Sequence, residues 1–242
     1  MSIVFLAKVL ALALAMVAEA VTWKAPNPTP PTEAELSRYR GGRDMGTLYA
    51  PWYHLPVLVV SFSAHLCEIA AVLAKVYPSP PADRVLSVLF DDPRAAGKLA
   101  ITPAFVIGFV LLVVGGAVRK ICYDTMGKQY TFQLAVLKDH KLVTSGPYAV
   151  VRHPGYSSFL SAVLGNIMIQ FLPGSYLYES GVLRKPMVAV AVAFWTAWVL
   201  GTAVILGIER VKREDATMKR EFGKEWEEWA KVTPYKLIPY VW

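Results

Sequence analysis

"MVAVAVAFWTAWVLGTAVILGI", residues 187–208, contains no charged side chain. At 1.5 Å per residue such a run crosses a bilayer core of roughly 30 Å as a helix. A helix that is apolar all round is a buried or lipid-facing helix, and in lipid it satisfies its own backbone hydrogen bonds. This reading decides the fold class. Four further runs of the same kind lie upstream, at 2–23, 48–77, 99–118 and 155–172. The second is long enough to be tilted, and Pro51 and Pro56 are placed to break its beginning. The first has a second reading as a cleaved signal peptide, since "AEA" at 18–20 has the A-x-A form. No positive charge precedes that run and Lys8 sits inside it, which favours a retained helix.

The composition agrees. Of 242 residues, 55% are hydrophobic and 18% charged, with a mean hydropathy of +0.40, outside the usual range of aqueous domains. The net charge of +7 sits beside the apolar runs, so an anionic membrane face explains it and nucleic acid is not expected as a partner. Cys67 and Cys122 lie in or next to apolar runs without a CxxC pair, which argues against a disulfide framework and a zinc site.

Small residues recur every four positions in three of the runs: Ala7, Ala11 and Ala15; Ala100, Ala104, Gly108 and Gly116; Ala189, Ala193, Ala197 and Gly201. Such stripes let helix backbones approach in lipid. Residues 24–47 form a Pro-rich linker with room for one short helix. With five spans, most Lys and Arg fall on one side, in 24–47, in 119–154 and in the tail after Glu209. Arg84, Arg94, Lys98, Arg184 and Lys185 fall on the other. The positive-inside rule makes the richer side cytoplasmic.

Two polar clusters share that side. In "LVTSGPYAVVRHPGY", residues 142–156, a Gly-Pro turn and a second strand-like step precede a helix opened by His153-Pro154. Pro154 suits a first helical turn, Gly155 admits a close approach to the backbone, and the helix start offers free N–H groups to a carboxylate. The plainer reading makes Arg152 and His153 a helix cap, with Tyr148 and Tyr156 in an interfacial aromatic belt. The second cluster is "ERVKREDATMKREFGKEWEEWAKVTPYKLIP", residues 209–239, where Arg210 and Glu214 share a helix face. Its plainer reading is an amphipathic tail that lays Trp226 and Trp229 on the membrane surface.

Taken in order, GPY, RHPGY, the Arg210 to Glu214 spacing, FGKEWEEW, VTP and IP resemble the isoprenylcysteine carboxyl methyltransferase family, over roughly residues 130–240. The resemblance implies an all-α integral membrane protein of about five transmembrane helices, with a cytoplasmic cofactor-binding segment and an amphipathic C-terminal tail. It divides the chain into N-terminal membrane helices and loops (1–118) and a cofactor-binding methyltransferase region (119–242). It implies S-adenosylmethionine as cofactor, and as partners a lipid bilayer and the prenylated C-terminal cysteine whose carboxylate is methylated, at the endoplasmic reticulum. It also implies that Gln133, His140, Lys141, Leu142, Val143, Tyr148, His153, Pro154, Gly155, Tyr156 and Glu214 line the cofactor pocket, and that Arg210 is the catalytic residue that binds the substrate carboxylate.

The chain departs from the family's pattern in three places. It has five spans, closer to the smaller microbial members than to animal ones. Asp215 stands where a second Glu is common, with Lys212 and Arg213 adding positive charge nearby, and the N-terminal half matches no motif. Three other readings stay open from the residues: a methyltransferase for a phospholipid amine or thiol, a relative of the membrane sterol reductases with a nicotinamide cofactor, and a non-catalytic membrane scaffold.

Overall fold

The computed structural model describes residues 2–24, 31–38, 45–131 and 133–242. Ten helices stand among these residues, and no strand: α1 (Ser2–Trp23), α2 (Glu33–Arg38), α3 (Met45–Val76), α4 (Pro80–Leu89), α5 (Pro103–Met126), α6 (Pro154–Phe171), α7 (Tyr176–Glu179), α8 (Pro186–Ile205), α9 (Val211–Phe222) and α10 (Lys224–Val232). Five are long and apolar enough to cross a membrane, and the chain is an all-α integral membrane protein. Half of the Pro-rich linker, residues 25–30 and 39–44 with Arg40 and Arg43, lies outside the described residues.

Some local expectations are revised. α3 is continuous through Pro51 and Pro56, as membrane helices allow when neighbours re-satisfy the freed backbone groups. The third span starts at Pro103, not Leu99, because Thr102 closes its first turn by accepting the Phe105 N–H at 3.1 Å. It also runs on to Met126, past the charges expected to end it. The strand-like step is a short 3₁₀ turn, Gly146–Ala149.

The chain forms two compact units. The first comprises Met1–Ala20, Val57–Val114 and Ser161–Gly201. Leu12, Ala15, Ala18, Phe105, Leu112, Ala162 and Ile169 make one buried cluster there. Gly108 of α5 and Gly165 of α6 bring their backbones together: a Cβ on Gly108 would stand 2.8 Å from the Gly165 carbonyl oxygen. Two polar layers run through the same unit. In one, Lys8 Nζ contacts Glu68 Oε1 at 2.6 Å and donates to the Ala100 and Gly174 carbonyls. In the other, Ser61 donates to Glu19 at 2.6 Å and accepts from Asn166 and Gln170, with His65 3.5 Å from Glu19 Oε2.

The second unit comprises Val21–Pro56, Gly115–Leu160 and Thr202–Trp242. Arg119, buried in α5, holds its centre. Its guanidinium donates to the Thr22 carbonyl at 2.8 Å, to the Tyr123 hydroxyl at 2.7 Å and to the Gly155 carbonyl, with the Phe159 ring 5.1 Å away. α2 opens with a capping box, in which the Thr32 N–H donates to Glu35 Oε2 at 2.8 Å and the Glu35 N–H donates to Thr32 Oγ1 at 3.4 Å. Glu35 also accepts from the backbone N–H groups of Val136 and Lys138, which anchors the loop after α5.

Candidate active site

Every site residue named from the sequence falls in the second unit. α6 begins at Pro154, as its fixed φ favours. Upstream of it, the 3₁₀ turn buries Tyr148. α8 passes into α9 through one π-helical turn, Leu206–Arg210, which shifts the phase of the helix just before Glu214. Arg210, at the end of that turn, is 7% exposed.

The two polar clusters meet at His153. One ring nitrogen, Nε2, lies 2.8 Å from Asp215 Oδ1, and the other, Nδ1, lies 3.7 Å from Glu214 Oε2. Adjacent residues on one helix thus address opposite sides of one imidazole. Arg152 donates to both Asp215 oxygens, from Nε at 3.3 Å and from Nη2 at 3.1 Å. Its Nη1 donates to the Thr233 and Pro234 carbonyls at 2.9 and 2.7 Å. Lys236 Nζ stands 3.6 Å from Asp215 Oδ2.

The tail is strapped across the start of α6. The backbone N–H groups of Arg152 and His153 donate to the Tyr235 and Lys236 carbonyls, each at 2.9 Å, and Ser157 donates to the Leu237 carbonyl. Trp229 Nε1 donates to the Tyr148 carbonyl at 3.3 Å. The N–H of His153 is therefore engaged by the tail. The space left by the missing Cβ of Gly155 faces the Tyr130 hydroxyl, 3.1 Å from where a Cβ would sit.

Tyr156 stands 6.0 Å from the His153 ring, within electrostatic reach of Glu214 and Arg210. His140 lies edge-on to Phe222 at 5.8 Å, within electrostatic reach of Glu214. Burial lowers its affinity for a proton below the ordinary value, against the pull of the Glu214 and Glu221 carboxylates. Burial pushes the Tyr130 and Tyr148 hydroxyls well above theirs, so both remain neutral donors.

Gln133, Leu142 and Val143 are half-buried in the loop before the turn. Lys141 has an exposed side chain, and its backbone N–H donates to the Gln129 side chain at 2.6 Å. Asp215, Arg152, Arg119 and Tyr130 are parts of the site that the sequence alone does not assign to it. The doubled polar pairs Arg152-His153 and Glu214-Asp215 are the available signal.

Residues 106–220, which hold the helix start, the π turn and both carboxylates, match the model of the isoprenylcysteine carboxyl methyltransferase (ICMT) family. This part of the chain is similar to the ICMT family. The chain is similar to a probable protein-S-isoprenylcysteine O-methyltransferase of Oryza sativa subsp. indica, 28% identical over 137 residues, or 56% of this chain and 61% of the relative. It is also similar to protein-S-isoprenylcysteine O-methyltransferase B of Arabidopsis thaliana, 29% identical over 55% of this chain and 58% of the relative. The protein-S-isoprenylcysteine O-methyltransferase of Schizosaccharomyces pombe is 30% identical over 57% of this chain and 56% of its own length. The matched stretch thus spans about three-fifths of the length of these ICMT relatives. No solved structure gives a significant match.

Proposed function

We propose that this chain transfers a methyl group from S-adenosylmethionine to the C-terminal carboxylate of a prenylated cysteine at a membrane surface. One observation carries the reading: the imidazole of His153 in the first motif lies against the Glu214 and Asp215 carboxylates of the second, one helical turn beyond the buried Arg210.

The residues fit the cofactor. Glu214 Oε2, His140 Nδ1 and Trp226 Nε1 are buried and have no hydrogen-bond partner among the described residues. Buried polar atoms are rarely left so unless a ligand or an ordered water serves them. A carboxylate oxygen and an imidazole nitrogen suit the ammonium and the adenine amine of S-adenosylmethionine. Gln133, His140 to Val143, Tyr148, His153 to Tyr156 and Glu214 would hold it. Bound there, it supplies an electrophilic methyl group on a sulfonium.

The chain's own residues have a limited task. A carboxylate is already ionised at neutral pH, so no general base is needed. Arg210 would hold one oxygen of the carboxylate and leave the other free to attack, since orientation alone is worth several kcal/mol. Exclusion of water strengthens that contact. The prenyl chain would be drawn from the bilayer. The Lys and Arg bias favours a cytoplasmic C-terminal region, and the endoplasmic reticulum is the proposed membrane.

The test is transfer of tritiated methyl from S-adenosylmethionine to N-acetyl-S-farnesylcysteine in detergent, beside the same compound with its carboxylate amidated. Transfer to the free acid alone is expected. No transfer to either, with saturable binding of S-adenosylhomocysteine, would move the acceptor to a lipid amine or thiol. Absence of saturable binding would leave a scaffold.

A further inference from the structure

We propose that Asp215 is a positioning residue of this site: it fixes His153 in the tautomer with hydrogen on Nε2, so that Nδ1 faces Glu214 as an acceptor. The cofactor half of the inference rests on the methyl-transfer reading; the tautomer half does not.

The donors around Asp215 decide its charge. Arg152 supplies two N–H groups to its two oxygens, and Lys236 stands 3.6 Å from one of them. A carboxylate so placed is ionised and can only accept. His153 Nε2, at 2.8 Å from Oδ1, must therefore carry the hydrogen. In the neutral ring Nδ1 then presents a lone pair, and 3.7 Å away stands Glu214 Oε2, which has no hydrogen-bond partner among the described residues. Two acceptors face each other at a separation longer than a hydrogen bond. Such a pair calls for a donor of its own, and a primary ammonium, with three N–H groups, serves both at once. The geometry points to the ammonium of the cofactor's amino-acid moiety. Asp215 never touches it and acts through the ring, as outer partners of histidine ligands do in metal sites.

The carboxylate cannot be replaced by its amide. In Asp215→Asn the side chain keeps one oxygen, and the two cations Arg152 and Lys236 face the Oδ2 position. The oxygen goes there, and the amide NH₂ turns to His153 Nε2. That nitrogen must then accept, the ring hydrogen moves to Nδ1, and Nδ1 donates to Glu214 in place of the ligand.

The experiment labels histidine with ¹⁵N in the full chain in detergent, because ring nitrogens with and without hydrogen resonate far apart. The chain has 4 histidines, and His153→Gln assigns the one of interest. The wild type is expected to carry hydrogen on Nε2 alone. Asp215→Asn is expected to move it to Nδ1 and to weaken S-adenosylhomocysteine binding, measured by calorimetry, about 10- to 100-fold, the worth of a charge-assisted hydrogen bond. Asp215→Glu, which keeps both acceptors, should restore the tautomer and most of the affinity. Hydrogen on Nδ1 in the wild type, alone or on both nitrogens, overturns the proposal without need of any variant. An unchanged tautomer in a folded Asp215→Asn overturns it too. A wild type that shows the Nε2 tautomer but no saturable binding would remove the functional reading and leave the role of Asp215 in orienting the ring intact.

Discussion

Lys8 of α1 and Glu68 of α3 form an ion pair at 2.6 Å, with side chains 1% and 3% exposed. Glu68 also accepts the Tyr176 N–H at 2.8 Å, and Lys8 donates to two carbonyls, so both groups are fully engaged inside the first unit. Removing one partner of such a pair strands a charge. Lys8→Met is expected to destabilise the protein by about 3–5 kcal/mol, and the double change with Glu68→Gln to recover most of that. Thermal unfolding in detergent, run as a double-mutant cycle, measures the coupling; additive losses would show the pair to be unimportant.

The approach of α5 and α6 in the same unit rests on missing side chains. A Cβ on Gly165 would run into the Gly108 carbonyl oxygen and stand 2.6 Å from the Leu112 backbone nitrogen. Gly165→Ala should cost about 1–3 kcal/mol by forcing the helices apart. Gly201→Ala, with nothing within 4 Å of its added Cβ, should cost far less and serves as the control. A melting midpoint unmoved by Gly165→Ala would count against the close crossing.

Acid should weaken the protein through His140. Burial holds its proton affinity below the ordinary 6.5, so between that lowered value and 6.5 the unfolded chain binds a proton that the folded one does not. Stability then falls as pH drops through this window and levels off below it. Melting curves at stepwise pH should show a shallower acid limb in His140→Phe than in the wild type. Parallel limbs would assign the acid loss elsewhere.

Arg210 and Glu214 should separate in function. Arg210→Ala is expected to abolish methyl transfer while leaving S-adenosylhomocysteine binding within about twofold, and Arg210→Lys to retain a small fraction, since a point charge lacks the planar fork. Glu214→Gln should weaken that binding about tenfold or more. Equal loss of binding in both would erase the division of roles.

The fold is legible wherever local chemistry stands alone. Five apolar runs suffice for five spans, and Pro154 marks the start of α6 because its missing N–H and fixed φ suit a first helical turn. The end of α5 is hidden because Arg119 looks like a terminator in sequence. The carbonyls of Thr22 and Gly155, 97 and 36 residues away in the chain, together with the Tyr123 hydroxyl, help make a buried guanidinium tolerable. Asp215 reads as a deviation from a pattern of glutamates, and its shorter side chain gains meaning only when Arg152 and His153 come against it. Lys8, Glu19, His65 and Glu68 are isolated polar residues in apolar text, since their partners are supplied by other helices.

The strap of residues 229–237 over the start of α6 bears on how the protein is made. Ribosomes deliver the chain from its N-terminus, and all five spans can be inserted while the tail is still in the exit tunnel. At that stage Arg152 lacks the Thr233 and Pro234 carbonyls, and the N–H groups of Arg152 and His153 lack those of Tyr235 and Lys236. Those hydrogen bonds close only once Leu237 has emerged, so the start of α6 is the last part of the second unit to be completed.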